Sequence, residues 1–204
     1  ERIRKVADAM RPLADEMKKS SLYGLVLAGG RSRRMGSDKG LINYHGKPQR
    51  EFLFELLEKF CDKVYTSCRI DQHVPLALNP VQDKFDFESP LNGILSAFEM
   101  DKSVSWLAIA VDLPFVNQDV LQFLIVNRDK DKVATCFYDS GGQLPEPLIA
   151  IWERSSYSLL KEFHQQGNIS PREFLIGHDT KKLFYPDSKI HININTPEDR
   201  SQLI

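Results

Sequence analysis

The apolar segment Leu25-Val26-Leu27-Ala28 runs directly into two adjacent glycines, Gly29 and Gly30, and then into a stretch holding Arg31, Arg33, Arg34 and Lys39. A short bulky run stopped by glycine reads as a buried strand ending in a tight turn. Glycine lets backbone N–H groups approach a bound anion closely and tolerates left-handed backbone. Successive N–H groups in such a turn form an anion-binding concavity, which nearby cations complete. From Arg31 to Lys39 the chain carries four cations and one anion, a local charge of +3, whereas the whole chain sums to −1. Strand, glycine turn and gathered positive charge together point to a site for a nucleoside triphosphate.

The rest of the chain sets the frame for that turn. An apolar stripe at Phe52, Leu53, Leu56, Leu57 and Phe60 follows Pro48 and reads as a helix. Strands are expected at 64–67 and 76–78, a loop at 79–90 and a helix at 91–100. The unbroken run Trp106-Leu107-Ala108-Ile109-Ala110-Val111 marks a strand covered on both faces. A helix at 118–127 and strands at 133–138 and 148–152 follow, then helices at 155–165 and 171–176. Short strands at 182–185 and 189–194 precede a closing helix capped by Thr196 with Pro197 in its first turn. Strands alternating with helices imply a mostly parallel sheet with right-handed crossovers. The expected fold is therefore α/β, a single Rossmann-like three-layer domain over residues 22–204. Ligands in such folds sit outside the carboxyl ends of the strands, at a switch in strand order.

Residues 1–21 differ in character. Ile3, Val6, Met10, Leu13 and Met17 make an amphipathic seam that Pro12 interrupts. The chain opens on Glu1, so this segment is expected to be an N-terminal helical extension: a linker from an upstream fused domain, a dimer contact, or a helix packed on the sheet. Length and a hydrophobic share of 42% suffice for one sizeable core. The near-neutral charge argues against a nucleic-acid partner. No apolar stretch is long enough to span a membrane and no leader is evident. Cys61, Cys68 and Cys136 lie far apart and form neither a disulfide framework nor a zinc site, which suits a reducing cytoplasm. The five histidines show no metal-ligand spacing and receive no role.

Which phosphate loop this is can be narrowed by spacing. Gly36 is followed by Ser37-Asp38, so the Walker A pattern is absent, and the adjacency of Gly29 and Gly30 rules out the dinucleotide fingerprint. The segment Leu27–Lys39 instead resembles the signature Leu-Ala-Gly-Gly-x-Ser-x-Arg-Met-Gly-x-Asp-Lys of the molybdenum cofactor guanylyltransferases, within the wider nucleotidyltransferase superfamily, and fills every fixed position. Three further segments resemble elements of that family in the same order. Val111-Asp112-Leu113-Pro114 matches its Asp-x-Pro element, and a carboxylate at the end of a buried strand suits Mg²⁺. Ser89-Pro90-Leu91-Asn92-Gly93-Ile94 matches Gly-Pro-Leu-Ala-Gly-Ile, on the nucleobase side, with Asp83 seven residues before Pro90. Here Ser89 stands for glycine and Asn92 for alanine. Ile192-Asn193-Ile194-Asn195-Thr196-Pro197-Glu198 matches Asn-x-Asn-Thr-Pro-Glu.

The resemblance implies transfer of GMP from GTP to the terminal phosphate of molybdenum-molybdopterin, with Mg²⁺ or Mn²⁺ as cofactor and pyrophosphate as product. Arg34, Lys39 and Asp112 would be catalytic, with Asp112 the metal ligand. Leu27, Ala28, Gly29, Gly30, Lys39, Asp83, Pro90, Leu91 and Gly93 would hold the nucleotide. Asn193, Asn195 and Glu146, from Pro145-Glu146-Pro147, would face the acceptor. In the superfamily Ala-Gly-Gly accompanies GTP enzymes, so Gly30 favours guanine. A cytidylyl- or sugar-1-phosphate nucleotidyltransferase is the alternative among enzymes. The departures at Ser89 and Asn92 keep a third reading, a non-catalytic nucleotide-binding domain of a fusion protein. A monomer is compatible with the sequence, and a molybdoenzyme or molybdenum-insertion protein is a conceivable partner.

Overall fold

Alternating strands and helices build one seven-stranded sheet with helices on both faces. The computed structural model describes residues 21–30 and 38–192. The strands are β1 (Leu22–Leu27), β2 (Lys63–Cys68), β3 (Pro80–Gln82), β4 (Ser105–Ala110), β5 (Ala134–Tyr138), β6 (Pro145–Trp152) and β7 (Thr180–Leu183). The helices are α1 (Gln49–Glu58), α2 (Pro90–Met100), α3 (Gln118–Val126), α4 (Ser156–Gln165) and α5 (Pro171–Gly177). Strand order is β3-β2-β1-β4-β6-β5-β7. Only β6 runs against the rest, pairing antiparallel with both β4 and β5. The chain adds β2 and β3 on one side of β1 and β4 on the other, so strand order reverses at β1/β4. That switch point is where an open α/β sheet leaves a crevice.

Alternation along β4 explains the two-faced core. Leu107 and Ile109 join Leu53, Leu57, Val120 and Leu124 in one buried cluster, under α1 and α3. Trp106, Ala108 and Ala110 join Leu91, Ile94, Phe98 and Leu160 in the other, under α2 and α4. Gly24 lets α1 lie directly on β1, because a Cβ there would be 3.0 Å from Leu57 Cβ. All three cysteines are buried. Burial pushes the Cys136 thiol up to about 12, which leaves it a packing residue.

Two strand expectations are corrected. Residues Leu76–Leu78 form a 3₁₀ turn, preceded by Pro75 and closed by Asn79 in the left-handed region at φ 46°. The strand lies just beyond, at Pro80–Gln82, where it can pair with Thr66–Cys68. Ser188–His191 is also a 3₁₀ turn, capped by Asp187, and it buries Ile190. The strand expected at 182–185 sits two residues earlier, as β7 alongside β5. Residues 1–20 of the extension expected over 1–21, Arg34, Asn193 and Asn195, and the closing helix at Thr196 lie outside the described residues. Among the described residues no helix is long and apolar enough to cross a membrane.

Candidate functional site

A cleft of about 780 Å³ opens at the switch point. Its floor is made where parallel strands run out of partners. The ladder continues one step past β1 and β4, with Ala28 N–H donating to Ser67 O and Val111 N–H to Leu27 O. Beyond that step the chains diverge. Gly29, Gly30, Lys39, Asp83, Gly93 and Asp112 all line the opening, so the structure brings together residues that the sequence holds far apart. Leu27 and Pro90 line it too, whereas Ala28 and Leu91 are buried beside it.

The two glycines act differently from the sequence argument. Neither adopts the left-handed backbone that motivates glycine in a turn. Gly29 is required by close approach, since a Cβ would lie 2.8 Å from Asp83 Oδ2. Among the described residues, a Cβ on Gly30 would meet nothing within 4 Å. No described neighbour demands glycine at 30, and the missing side chain leaves its backbone open to the cleft.

Lys39 and Asp112 face each other across the opening at 3.9 Å, with side chains 14% and 18% exposed. Each is held from behind. Lys39 begins a 3₁₀ turn capped by Asp38, whose Oδ1 accepts from Gly40 N–H. Asp38 Oδ2 in turn accepts from Gln72 Nε2 at 2.9 Å and pairs with the buried Arg50 at 3.4 Å. Gln72 Nε2 also donates to Ala28 O, and Arg69 donates to the carbonyls of Gly29 and Gly30. One short loop after β2 thus fixes both the glycine pair and the approach to Lys39. On the other side, Asp112 sits in a turn closed by Leu113 N–H donating to Ala110 O. His45 Nε2 donates to Pro114 O at 2.9 Å, and Gln49 Nε2 reaches Leu113 O at 3.5 Å. Asp38 belongs to the signature read from the sequence, but Gln72, Arg69, Arg50, His45 and Gln49 gave no such signal, because each is a polar residue of ordinary type whose partner is distant in the chain.

Asp83 accepts from Ser67 Oγ at 3.1 Å. Burial raises its pKa, against the lowering pull of that hydrogen bond and of Arg69. Glu146 is buried, pairs with Arg172 at 3.2 Å and accepts from Leu148 N–H. Burial raises its pKa, and Asp112 and Asp139 push the same way. Leu148 rather than Glu146 lines the cleft. The two departures noted in the sequence have structural uses: Ser89 caps α2 and donates to Ile169 O, and Asn92 bonds to the loop ahead of the helix.

The family model described as "MobA-like NTP transferase domain" matches residues 24–181, which include the glycine turn, Lys39, Asp83 and Asp112. The chain belongs to that family. This MobA-like domain is 38% identical over 192 residues to the "Molybdenum cofactor biosynthesis bifunctional protein" of Synechocystis sp., covering 92% of the chain and 55% of that protein. It is 32% identical to the "Probable molybdenum cofactor guanylyltransferase" of Trichormus variabilis, with 88% and 89% covered. Among solved structures, the "Molybdopterin-guanine dinucleotide biosynthesis protein A" of Archaeoglobus fulgidus shares the fold at a TM-score of 0.69 and 24% identity, covering 88% of this chain and 95% of that one. A Thermus thermophilus cytidylyltransferase shares it at 0.64 and 11%, covering 87% and 95%. The MobA-like domain is a nucleotidyltransferase.

Proposed function

We propose that this domain transfers GMP from GTP to the phosphate of molybdenum-molybdopterin, with release of pyrophosphate. The observation that carries this reading is the pairing of Lys39 with Asp112 across the β1/β4 opening, beside the bare backbone of Gly30. No protein nucleophile is needed, because an acceptor phosphate oxygen attacks the α-phosphorus as the bond to pyrophosphate breaks. The work left to the protein is positioning and neutralising charge on phosphoryl oxygens. The backbone at Gly29 and Gly30 would carry the triphosphate, Lys39 and Arg34 would offset its charge, and Asn193 and Asn195 would serve the acceptor side. Glu146, buried and paired with Arg172, would shape the acceptor end.

The donor set suits a magnesium or manganese ion. Among the described residues no group of three or more His, Cys, Asp or Glu could enclose a metal, and one carboxylate completed by substrate phosphates is how Mg²⁺ is commonly held. Asp112 would be that carboxylate. The ion, when bound, would polarise the phosphoryl oxygens.

Guanine is favoured over cytosine by the Ala28-Gly29-Gly30 pattern, together with relatives at 30% identity and above that are named guanylyltransferases. Residues 1–21 would then join this domain to a further unit, an arrangement suggested by the word "bifunctional" in the Synechocystis relative's name. The deciding experiment is pyrophosphate release with GTP, CTP, ATP and UTP in the presence of Mg²⁺, with and without the molybdopterin-type acceptor. Release with GTP and acceptor together is the expected result. Release favouring CTP would replace the base, and GTP binding without release under any acceptor would replace the enzyme reading with a binding module.

A further inference from the structure

The wall of the cleft on its β3 side is a strap, residues 83–89, that has no regular secondary structure of its own. Phe85, Asp86, Phe87, Glu88 and Ser89 line the cleft from this strap. Its ends are tied by Asp83 to Ser67 and by Ser89 to Ile169 O, Phe85 and Phe87 pack against His164, and its middle backbone is held by one side chain. Asn92, on the first turn of α2 and only 2% exposed, accepts from Phe85 N–H at 3.2 Å and donates to Phe85 O at 2.7 Å and Phe87 O at 3.0 Å. Its Oδ1 also accepts from Ser96 Oγ, which itself takes the N–H of Lys84. An amide, with an acceptor and two donors, is the side chain that can answer an N–H and two carbonyls at once. Alanine at this position would supply none of these bonds.

The clamp is built from a single side chain that reaches back seven residues along the chain to Phe85. The strap lies beyond β2 from the opening that holds Lys39 and Asp112, since the sheet runs β3-β2-β1-β4. A nucleotide with its α-phosphorus at that opening and its phosphates over the glycine turn would bring its nucleoside towards the strap, because Gly29, Ser67, Asp83, Phe85 and Asp112 line one continuous cleft. This step rests on the proposed nucleotidyl transfer. We infer that Asn92 is a positioning residue for the nucleoside: it fixes the strap as a preformed wall, and so sets nucleotide affinity and base preference without touching the reacting atoms. A preformed wall spares the ordering entropy that a loose loop would lose on binding.

Asn92→Asp tests this with little change in volume, because it keeps the acceptor for Phe85 N–H and turns a carboxylate towards two carbonyls. Ser96→Ala, which removes the hydroxyl behind Asn92, is the milder second variant and serves if Asn92→Asp does not fold. Nucleotide affinity is read by equilibrium dialysis with GTP and with CTP, and turnover by pyrophosphate release. The expected result for Asn92→Asp is a rise of about tenfold or more in Kd and KM for GTP, the scale of one mispaired buried group. At saturating GTP, kcat should stay within about twofold, because the interaction lost is a binding one. The ratio of GTP to CTP affinity should narrow, and the amide of Phe85 should exchange faster. Ser96→Ala should move each quantity the same way by less. A folded Asn92→Asp with unchanged GTP affinity, or one that loses kcat at unchanged KM, overturns the inference alone. Wild-type protein that binds GTP without turning it over overturns the transfer reading and leaves the affinity comparison to decide Asn92. Wild-type protein that binds neither nucleotide overturns both.

Discussion

The two ends of β4 carry two ion pairs built to opposite designs. At the Ser105 end, Arg128 grips Glu153 with Nε on Oε1 at 2.6 Å and Nη2 on Oε2 at 2.8 Å, and Ser105 Oγ donates to the same carboxylate at 2.7 Å. Both side chains are almost wholly buried. At the Asp112 end, Lys39 stands 3.9 Å away, at the edge of ion-pair distance and against an open cleft. A desolvated, bidentate pair has its hydrogen bonds completed within the protein. A loose pair at an opening gains little from its own attraction. The first arrangement is closed within the protein, whereas the second, proposed above to meet a ligand, faces the cleft; β4 contributes Ser105 to the one and leads into Asp112 of the other.

The contrast breaks most visibly at the buried pair. Arg128→Ala should strand the Glu153 carboxylate and cost about 3–5 kcal/mol of stability, read by chemical denaturation, while turnover per folded molecule is unchanged. At the other end, Lys39→Ala and Asp112→Ala should each lower turnover by about 10²-fold or more, the scale of one lost electrostatic donor, with the melting temperature almost unmoved. Normal turnover in either variant would remove that residue from its assigned role, and a large loss of stability would make the pair structural after all.

Gly93→Ala probes the floor between the two ends. The new Cβ would fall 2.3 Å from Ser67 Oγ, the group that donates to Asp83. Forcing α2 away from β2 should cost about 1–3 kcal/mol, the usual range for overpacking, and adding Ser67→Ala should recover part of it. The smallest effect belongs to Asp83. Burial holds its pKa above the ordinary aspartate value, so the folded state prefers the protonated form. The stability tied to that proton is complete below the ordinary value of about 4, and is lost as pH rises through the raised one. Asp83→Asn, which does not titrate, should therefore be slightly more stable than wild type at pH 7 and gain nothing at pH 3, by thermal melts at both. If Asp83 serves the nucleotide, the same variant should bind GTP less tightly, so that stability and affinity move in opposite directions.

Much of the site was legible because its residues sit in local patterns. The run Leu25–Ala28 stopped by Gly29 marked a strand and its turn, and Val111-Asp112-Leu113-Pro114 marked a carboxylate at a strand end. Both lie where they were expected. The helix starts at Pro90 and Pro171 were equally plain, since proline in a first turn is a local signal. Local reading failed where the answer depended on a neighbour. Leu76-Ala77-Leu78 has the apolar character of a strand, yet Pro75 and the left-handed Asn79 turn it, and the parallel partner β2 is met only at Pro80. Asn92 looked like a departure from a pattern until the strap it clamps was in view.

By itself, then, the sequence determined the order of strands and helices, the glycine turn with its cations, and the carboxylate that ends the central strand. These follow from periodicity, chain stiffness and short-range sterics, all of which act within a few residues. Only the tertiary structure decided that β4 lies beside β1, and so that Asp112 faces Lys39. It alone put Gln72, Arg69, His45 and Gln49 behind the site, made Gly29 a matter of clearance from Asp83, and gave Asn92 its work. Apolar period reports which face of an element is buried, but strand pairing and polar contacts between distant segments are settled by packing the whole chain at once.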